Sequence, residues 1–217
     1  MALFDKLGQV FATDITKDFR LKRNADQENS ELSFVEQLNK RRTVKDLGNK
    51  LKFSQSYITK LIQEAVRSCP SAHNSQSTRV VILYGESHLK FWEIVKEMQR
   101  KIVPANVFAG TALKIERCSK AYGTVLFYED QTTIKKLQKL RPFDADEFPI
   151  WSEQTSGMAQ FAVWAALAES EIGAALQHYN PIVDEEIAMN FGINPDWKLR
   201  AQLVFGSIEQ DLVAKPY

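Results

Sequence analysis

The stretch that most constrains this chain is residues 156–181, SGMAQFAVWAALAESEIGAALQHYNP. Met158, Ala159, Phe161, Ala162, Val163, Trp164, Ala165, Ala166, Leu167 and Ala168 make it apolar on nearly every face. A helix with that pattern is buried on all sides. Spanning a membrane takes about 20 consecutive apolar residues, and Glu169 and Glu171 arrive too early for that. The stretch is therefore the central helix of a globular core or the seam of a dimer. Gly157, Ala162, Ala165, Ala166 and Ala168 would let a second helix come close. The pattern breaks at Glu171-Ile172-Gly173 and resumes as Ala174-Ala175-Leu176-Gln177. A backbone bending at glycine can present N–H groups to a flat ligand, since no Cβ holds the ligand away. A plain helix end capped by glycine accounts for the same residues.

A core of this kind suits a chain of 217 residues that is 44% hydrophobic and 25% charged, an ordinary globular composition. The formal net charge of +1 creates no field favouring nucleic acid or a membrane surface. Cys69 and Cys118 form neither a CxxC pair nor a disulfide framework, which fits a reducing, cytoplasmic compartment. The opening MALFDKLGQVF lacks the pattern of a secretory signal. His73, His88 and His178 have no ligand spacing such as HExxH, so no metal site is expected. The absence of GxGxxG after a strand, of GxxxxGK[ST] and of GxSxG argues against a common dinucleotide fold, a P-loop and a serine hydrolase.

Residues 1–30 read as a short amphipathic helix (Leu3, Phe4, Leu7, Val10, Phe11) followed by a polar linker, with the folded domain spanning 31–217. Ser33 and Glu36 form a capping-box pattern on a short helix that ends in Lys40-Arg41-Arg42-Thr43-Val44-Lys45. Two arginines and a hydroxyl at a helix end suit a phosphate; a solvated basic face is the plainer alternative. Ser54 or Ser56 caps a helix over 55–68, whose apolar stripe stops at Cys69-Pro70. The polar loop Pro70-Ser71-Ala72-His73-Asn74-Ser75-Gln76-Ser77 leads into a strand, 78–84. It is either a binding loop or a connector rich in turn formers. A helix over 87–102, a less regular segment from Pro104 to Lys120 and a buried strand over 123–128 follow. Acidic Glu129-Asp130 and a charged helix over 131–141 come next. The aromatic loop 141–151 serves as a lid or as packing. Asp184 opens a short helix to Phe191, and 197–206 is the last strand. About three strands among six or more helices predict a sheet layered with helices.

Four segments, in this order, carry a resemblance. They are Arg41-Arg42-Thr43-Val44-Lys45; Pro70 to Gln76 before a strand; Gly123 to Asp130; and Trp151-Ser152-Glu153-Gln154 leading into the central helix and Leu176-Gln177-His178-Tyr179-Asn180-Pro181. Over roughly residues 33–216 the chain resembles the FMN-dependent nitroreductase family, nearest its fatty-acid-repression-mutant-like branch. The resemblance implies an α+β fold with a central, mainly antiparallel sheet wrapped by helices. It also implies a domain-entwined homodimer with FMN at the subunit interface. By that likeness Arg41, Arg42 and Thr43 hold the FMN phosphate and ribityl end. Lys45 approaches the N1–C2=O edge of the ring, where negative charge develops on reduction. Pro70, Ser71, Ala72 and Asn74 come from the other subunit. Lys114 and Arg117 match positions near the pyrimidine side, Ile172, Gly173 and Ala174 present backbone to the N5–O4 edge, and Lys215 contacts the phosphate. No catalytic acid or base is then required of the protein, because the cofactor carries the hydride chemistry. The implied activity is ping-pong reduction of nitroaromatics or quinones with NAD(P)H as co-substrate. A flavin-binding regulatory module, with the N-terminal helix docking a partner, is the alternative. Residues 1–30 lie outside the family pattern.

Overall fold

The computed structural model describes residues 34–210. The expected N-terminal helix and linker, the Ser33 cap and Lys215 lie outside the described residues. The elements are α1 (Phe34–Lys40), β1 (Leu47–Gly48), α2 (Gln55–Arg67), β2 (Thr78–Tyr84), α3 (Gly85–Ile102), α4 (Ala105–Ser119), β3 (Gly123–Asp130), α5 (Gln131–Leu140), α6 (Phe148–Glu169), β4 (Gly173–Gln177), α7 (Asp184–Phe191) and β5 (Trp197–Ile208). The sheet runs β1-β5-β3-β2, and β4 also pairs with β5. Every strand pair is antiparallel. This is the α+β arrangement of an antiparallel sheet covered by helices.

Central β3 explains how the layers are set. Successive strand residues face opposite sides of a sheet. Val125 and Phe127 pack with Ile58 and Ile62 of α2 and Val163 and Leu167 of α6. Leu126 and Tyr128 pack with Phe91, Trp92 and Val95 of α3 and Ile115 of α4. Both faces are covered, so the strand reads as an unbroken apolar run. It continues through Glu129 and Asp130, two residues past the end expected from the sequence.

Local chemistry sets the helix ends. The Ser54 hydroxyl accepts the Tyr57 N–H at 3.2 Å and caps α2. Asp130 caps α5, accepting from the N–H groups of Thr132 and Thr133. Pro149 sits in the first turn of α6, where a missing N–H costs nothing.

Three expectations need correction. The irregular segment after Pro104 is helix α4, because packing against α3 supplies order that its weak pattern does not announce. The aromatic loop ends earlier than expected, since Phe148 and Trp151 already belong to α6. Nor is α6 covered on all sides within one protomer. Val163 and Leu167 are fully buried, whereas Met158 is 41% and Phe161 44% exposed. Ile150 is exposed too, and Ile150, Met158 and Phe161, spaced by eight and then three residues, fall on one side of the helix.

Candidate functional site

Helix α1 packs against α6 and delivers Arg41 and Arg42 to its C-terminal half. The Arg41 guanidinium lies over the Trp164 ring, 4.5 Å from its centroid, a cation–π contact. The Trp164 indole N–H donates to the Arg42 carbonyl at 3.2 Å. One side chain of α6 thus supports two successive arginines. Thr43 then bridges Ala174 in parallel fashion, and the Val44 N–H donates to the Ala174 carbonyl at 3.0 Å. Val44 is buried while Thr43 and Lys45 on either side are exposed. Two segments separated by 130 residues in the sequence are joined here: the basic cluster and the Ile172-Gly173-Ala174 strand.

The turn into β4 is built differently from the sequence expectation. The left-handed residue is Glu171, with φ of 60°. Its carboxylate accepts from the Lys52 ammonium at 3.0 Å, and that cation holds its pKa below the ordinary carboxylate value. The Ile172 N–H is spent on the Leu167 carbonyl at 2.9 Å. Gly173 opens β4 and is buried. A Cβ there would stand 2.8 Å from Leu47 Cδ2 and 2.9 Å from Ile208 Cγ1. Within the protomer, then, glycine is required by close packing of β4 on β1 and β5, and the helix is not closed by a glycine cap. After β4, buried Gln202 steadies the turn: its carbonyl accepts the Tyr179 N–H at 2.8 Å and its amide donates to Asn180 at 3.1 Å.

The loop from Pro70 lies elsewhere. The His73 ring packs on Phe148 and Trp151, at 5.7 and 5.5 Å between centroids. Ser71, Ala72 and Asn74 therefore sit at the N-terminal end of α6, whereas Arg41 sits at Trp164. From Trp151 to Trp164 the helix rises about 20 Å. Within one protomer the two groups do not meet around one small ligand.

Lys114 and Arg117 project from α4 and are exposed. The Lys114 ammonium lies 5.9 Å from the Tyr179 ring centroid, and the Arg117 guanidinium is 3.9 Å from the Asp46 carboxylate. They flank the segments that follow the basic cluster and β4. Arg117 also lines a cleft of about 1050 Å³ with Asp46, Lys50, His88, Lys120 and Glu209; among the described residues, the other predicted site residues do not line it. His88 in its wall is neutral, with its pKa held down to about 4 by burial.

The set fits a flat, phosphorylated ligand: two guanidinium groups, a hydroxyl and an ammonium within residues 41–45, set beside a strand backbone. Sequence reading missed Trp164 as the support of the arginines. The signal available was a lone indole in an alanine-rich run.

The nitroreductase family's sequence profile matches residues 38–207. The chain belongs to the nitroreductase family. HBN1 of Saccharomyces cerevisiae is 34% identical over 178 residues, covering 81% of this chain and 88% of that protein. The nitroreductase FRM2 of the same yeast is 33% identical over 150 residues, 69% of this chain and 73% of that one. Among solved structures, nitroreductase CinD of Lactococcus lactis in complex with chloramphenicol matches with a TM-score of 0.78 at 44% identity, covering 85% of this chain and 94% of that one. A Desulfitobacterium hafniense nitroreductase with bound FMN, 13% identical with a TM-score of 0.63, shares the fold. The two clustered segments of this nitroreductase-family oxidoreductase thus lie within the matched region.

Proposed function

We propose that this nitroreductase-family chain is an FMN-dependent oxidoreductase that uses NAD(P)H to reduce nitroaromatics or quinones. It works as a cytoplasmic homodimer with FMN at the subunit interface. The observation that carries the reading is the Thr43–Ala174 bridge, which sets the Arg41–Lys45 cluster against the Ile172–Ala174 backbone. Bound FMN supplies hydride chemistry at its N5. Arg41 and Arg42 hold the phosphate through charge-assisted hydrogen bonds, and the Thr43 hydroxyl adds a donor. Lys45 places its ammonium at the ring edge that becomes negative on reduction. Ile172, Gly173 and Ala174 form a backbone wall for the N5–O4 edge. Lys114 and Arg117 close the pyrimidine side. Lys215, outside the described residues, belongs to the phosphate end in this reading.

Pro70, Ser71, Ala72 and Asn74 reach the flavin from the second subunit. Two features support that assignment: the roughly 20 Å of α6 between them and Arg41, and the exposed apolar side of α6 at Met158 and Phe161. The substrate class follows CinD, whose solved complexes hold chloramphenicol and 4-nitrophenol.

The deciding experiment is an absorption spectrum of the purified protein, followed by anaerobic NADH and NADPH addition. Oxidised-flavin bands that bleach and return with a nitroaromatic or quinone are the expected result. A colourless protein that takes up no FMN would overturn the reading; a yellow protein that neither nucleotide bleaches would remove the electron donor.

A further inference from the structure

The acidic pair ending β3 has no role in flavin binding as described, yet it sits behind the loop assigned to the flavin wall. The alternation along β3 places Glu129 on the same side as Val125 and Phe127, toward α6. It is 1% exposed, where the pattern calls for an apolar side chain. A buried charge persists only when it is hydrogen-bonded. Oε1 of Glu129 accepts from the Thr78 hydroxyl at 2.6 Å. Oε2 accepts from the Ser77 hydroxyl at 2.6 Å and from the Ser152 hydroxyl of α6 at 2.8 Å. Among the described residues its partners are hydroxyls rather than cations: Arg79 is engaged with Asp130 and Arg200 with Glu153. Burial pushes the Glu129 carboxyl pKa up, and the three hydroxyl donors oppose that push.

The loop that ends at Ser77 is strained. His73, Asn74 and Gln76 have φ of 52°, 52° and 48°, a region that non-glycine residues keep only where their surroundings over-determine it. Inside the loop, the Asn74 N–H donates to the Ser71 carbonyl, the Ser75 N–H to the Ala72 carbonyl and the Gln76 N–H to the Ser71 hydroxyl. At its exit, Arg79 donates to the Gln76 carbonyl at 2.6 Å and the Asp130 N–H to the Ser77 carbonyl at 2.9 Å.

We infer that Glu129 is the positioning residue of the 71–77 loop. Its buried carboxylate gathers the Ser77, Thr78 and Ser152 hydroxyls, and so ties the loop exit to β3 and α6 and holds His73, Asn74 and Gln76 in their left-handed conformations, and with them Ser71 and Ala72 in place. The clamp stands on these contacts alone. Its consequence for flavin rests on the reading proposed above.

Glu129→Gln and Ser77→Ala, made in the full chain, test it. Gln keeps the shape but replaces an acceptor edge with a donor; Ala removes the loop's own anchor. In flavin-free protein, amide exchange at Asn74, Ser75 and Gln76 is expected to be about tenfold faster in either variant, with β3 and α6 amides little changed. The FMN Kd rises about tenfold, and the visible circular dichroism of bound FMN at saturation changes, which a merely less stable fold would not cause. Unchanged loop exchange in folded Ser77→Ala overturns the clamp, as does acceleration spread evenly over the chain. If Glu129→Gln fails to fold, Ser77→Ala decides. A wild-type chain that takes up no FMN sinks the flavin reading, while the exchange experiment still judges the clamp.

Discussion

Single side chains here carry chemistry that burial and partners define. Arg41 is anchored on Trp164, so its guanidinium is oriented before any anion arrives. A charge-assisted contact contributes about 1.5–3 kcal/mol, so Arg41→Ala should weaken FMN roughly 10- to 150-fold. Riboflavin, lacking the phosphate, should be little affected; fluorescence titration with both ligands checks this, and equal losses would place the phosphate elsewhere. His88 makes a different case. Its Nε2–H donates to the Ser119 carbonyl at 3.2 Å, which leaves Nδ1 to accept from the Thr124 hydroxyl. Trp92 in turn donates to that hydroxyl at 3.0 Å. The ring is kept neutral, and its pKa falls from 6.5 to about 4. Because the unfolded chain takes up this proton first, the contribution to stability is whole above the unfolded value and is lost as pH falls toward the folded one. The loss is on the order of 3 kcal/mol. Urea unfolding at pH 7.5 and 4.5 should show a smaller difference in His88→Gln than in the wild type.

At the scale of elements, β4 is where local reading and packing disagree. The sequence marks a glycine after a long apolar helix, and a bend open to a ligand is one natural reading. The left-handed position is Glu171 instead, and Gly173 is small because Leu47 and Ile208 crowd it. Gly173→Val should therefore lower the thermal midpoint through overpacking, at a cost of about 1–3 kcal/mol. Any loss of flavin would follow displacement of β1 and the Val44–Ala174 hydrogen bond. Wild-type stability with selectively poor flavin binding would instead show that contact with the ligand, rather than packing, is what requires glycine at this point of the backbone wall. Helix α2 is the contrasting case: its apolar stripe was legible and is present, and of the two candidate caps, Ser54 and Ser56, the structure uses Ser54.

The whole molecule leaves an apolar side of its central helix in solvent. Met158 and Phe161 lie on α6 between the two groups of proposed flavin contacts. A second copy covering that side would bring the Ser71–Asn74 loop of one protomer toward the Arg41–Lys45 cluster of the other. Phe161→Glu should then give a monomer by sedimentation velocity, with FMN lost at the same time. A dimer that persists with full flavin would place the interface on another face.

The sequence by itself determined most of the long elements, α4 excepted, the burial of β3 and the kinds of donors available, because periodicity and capping are local properties of neighbouring residues. It also carried the family likeness in four ordered segments. It did not determine that Thr43 pairs with Ala174, that β1 and β4 both pair with β5, or that Glu129 turns inward to three hydroxyls. Two- and five-residue strands have too little pattern to read. Pairings between residues about 20 to 160 positions apart are decided by how the layers pack. Only the tertiary structure separated the polar loop from the basic cluster along α6, since a helix converts sequence distance into a fixed length that no composition or motif records.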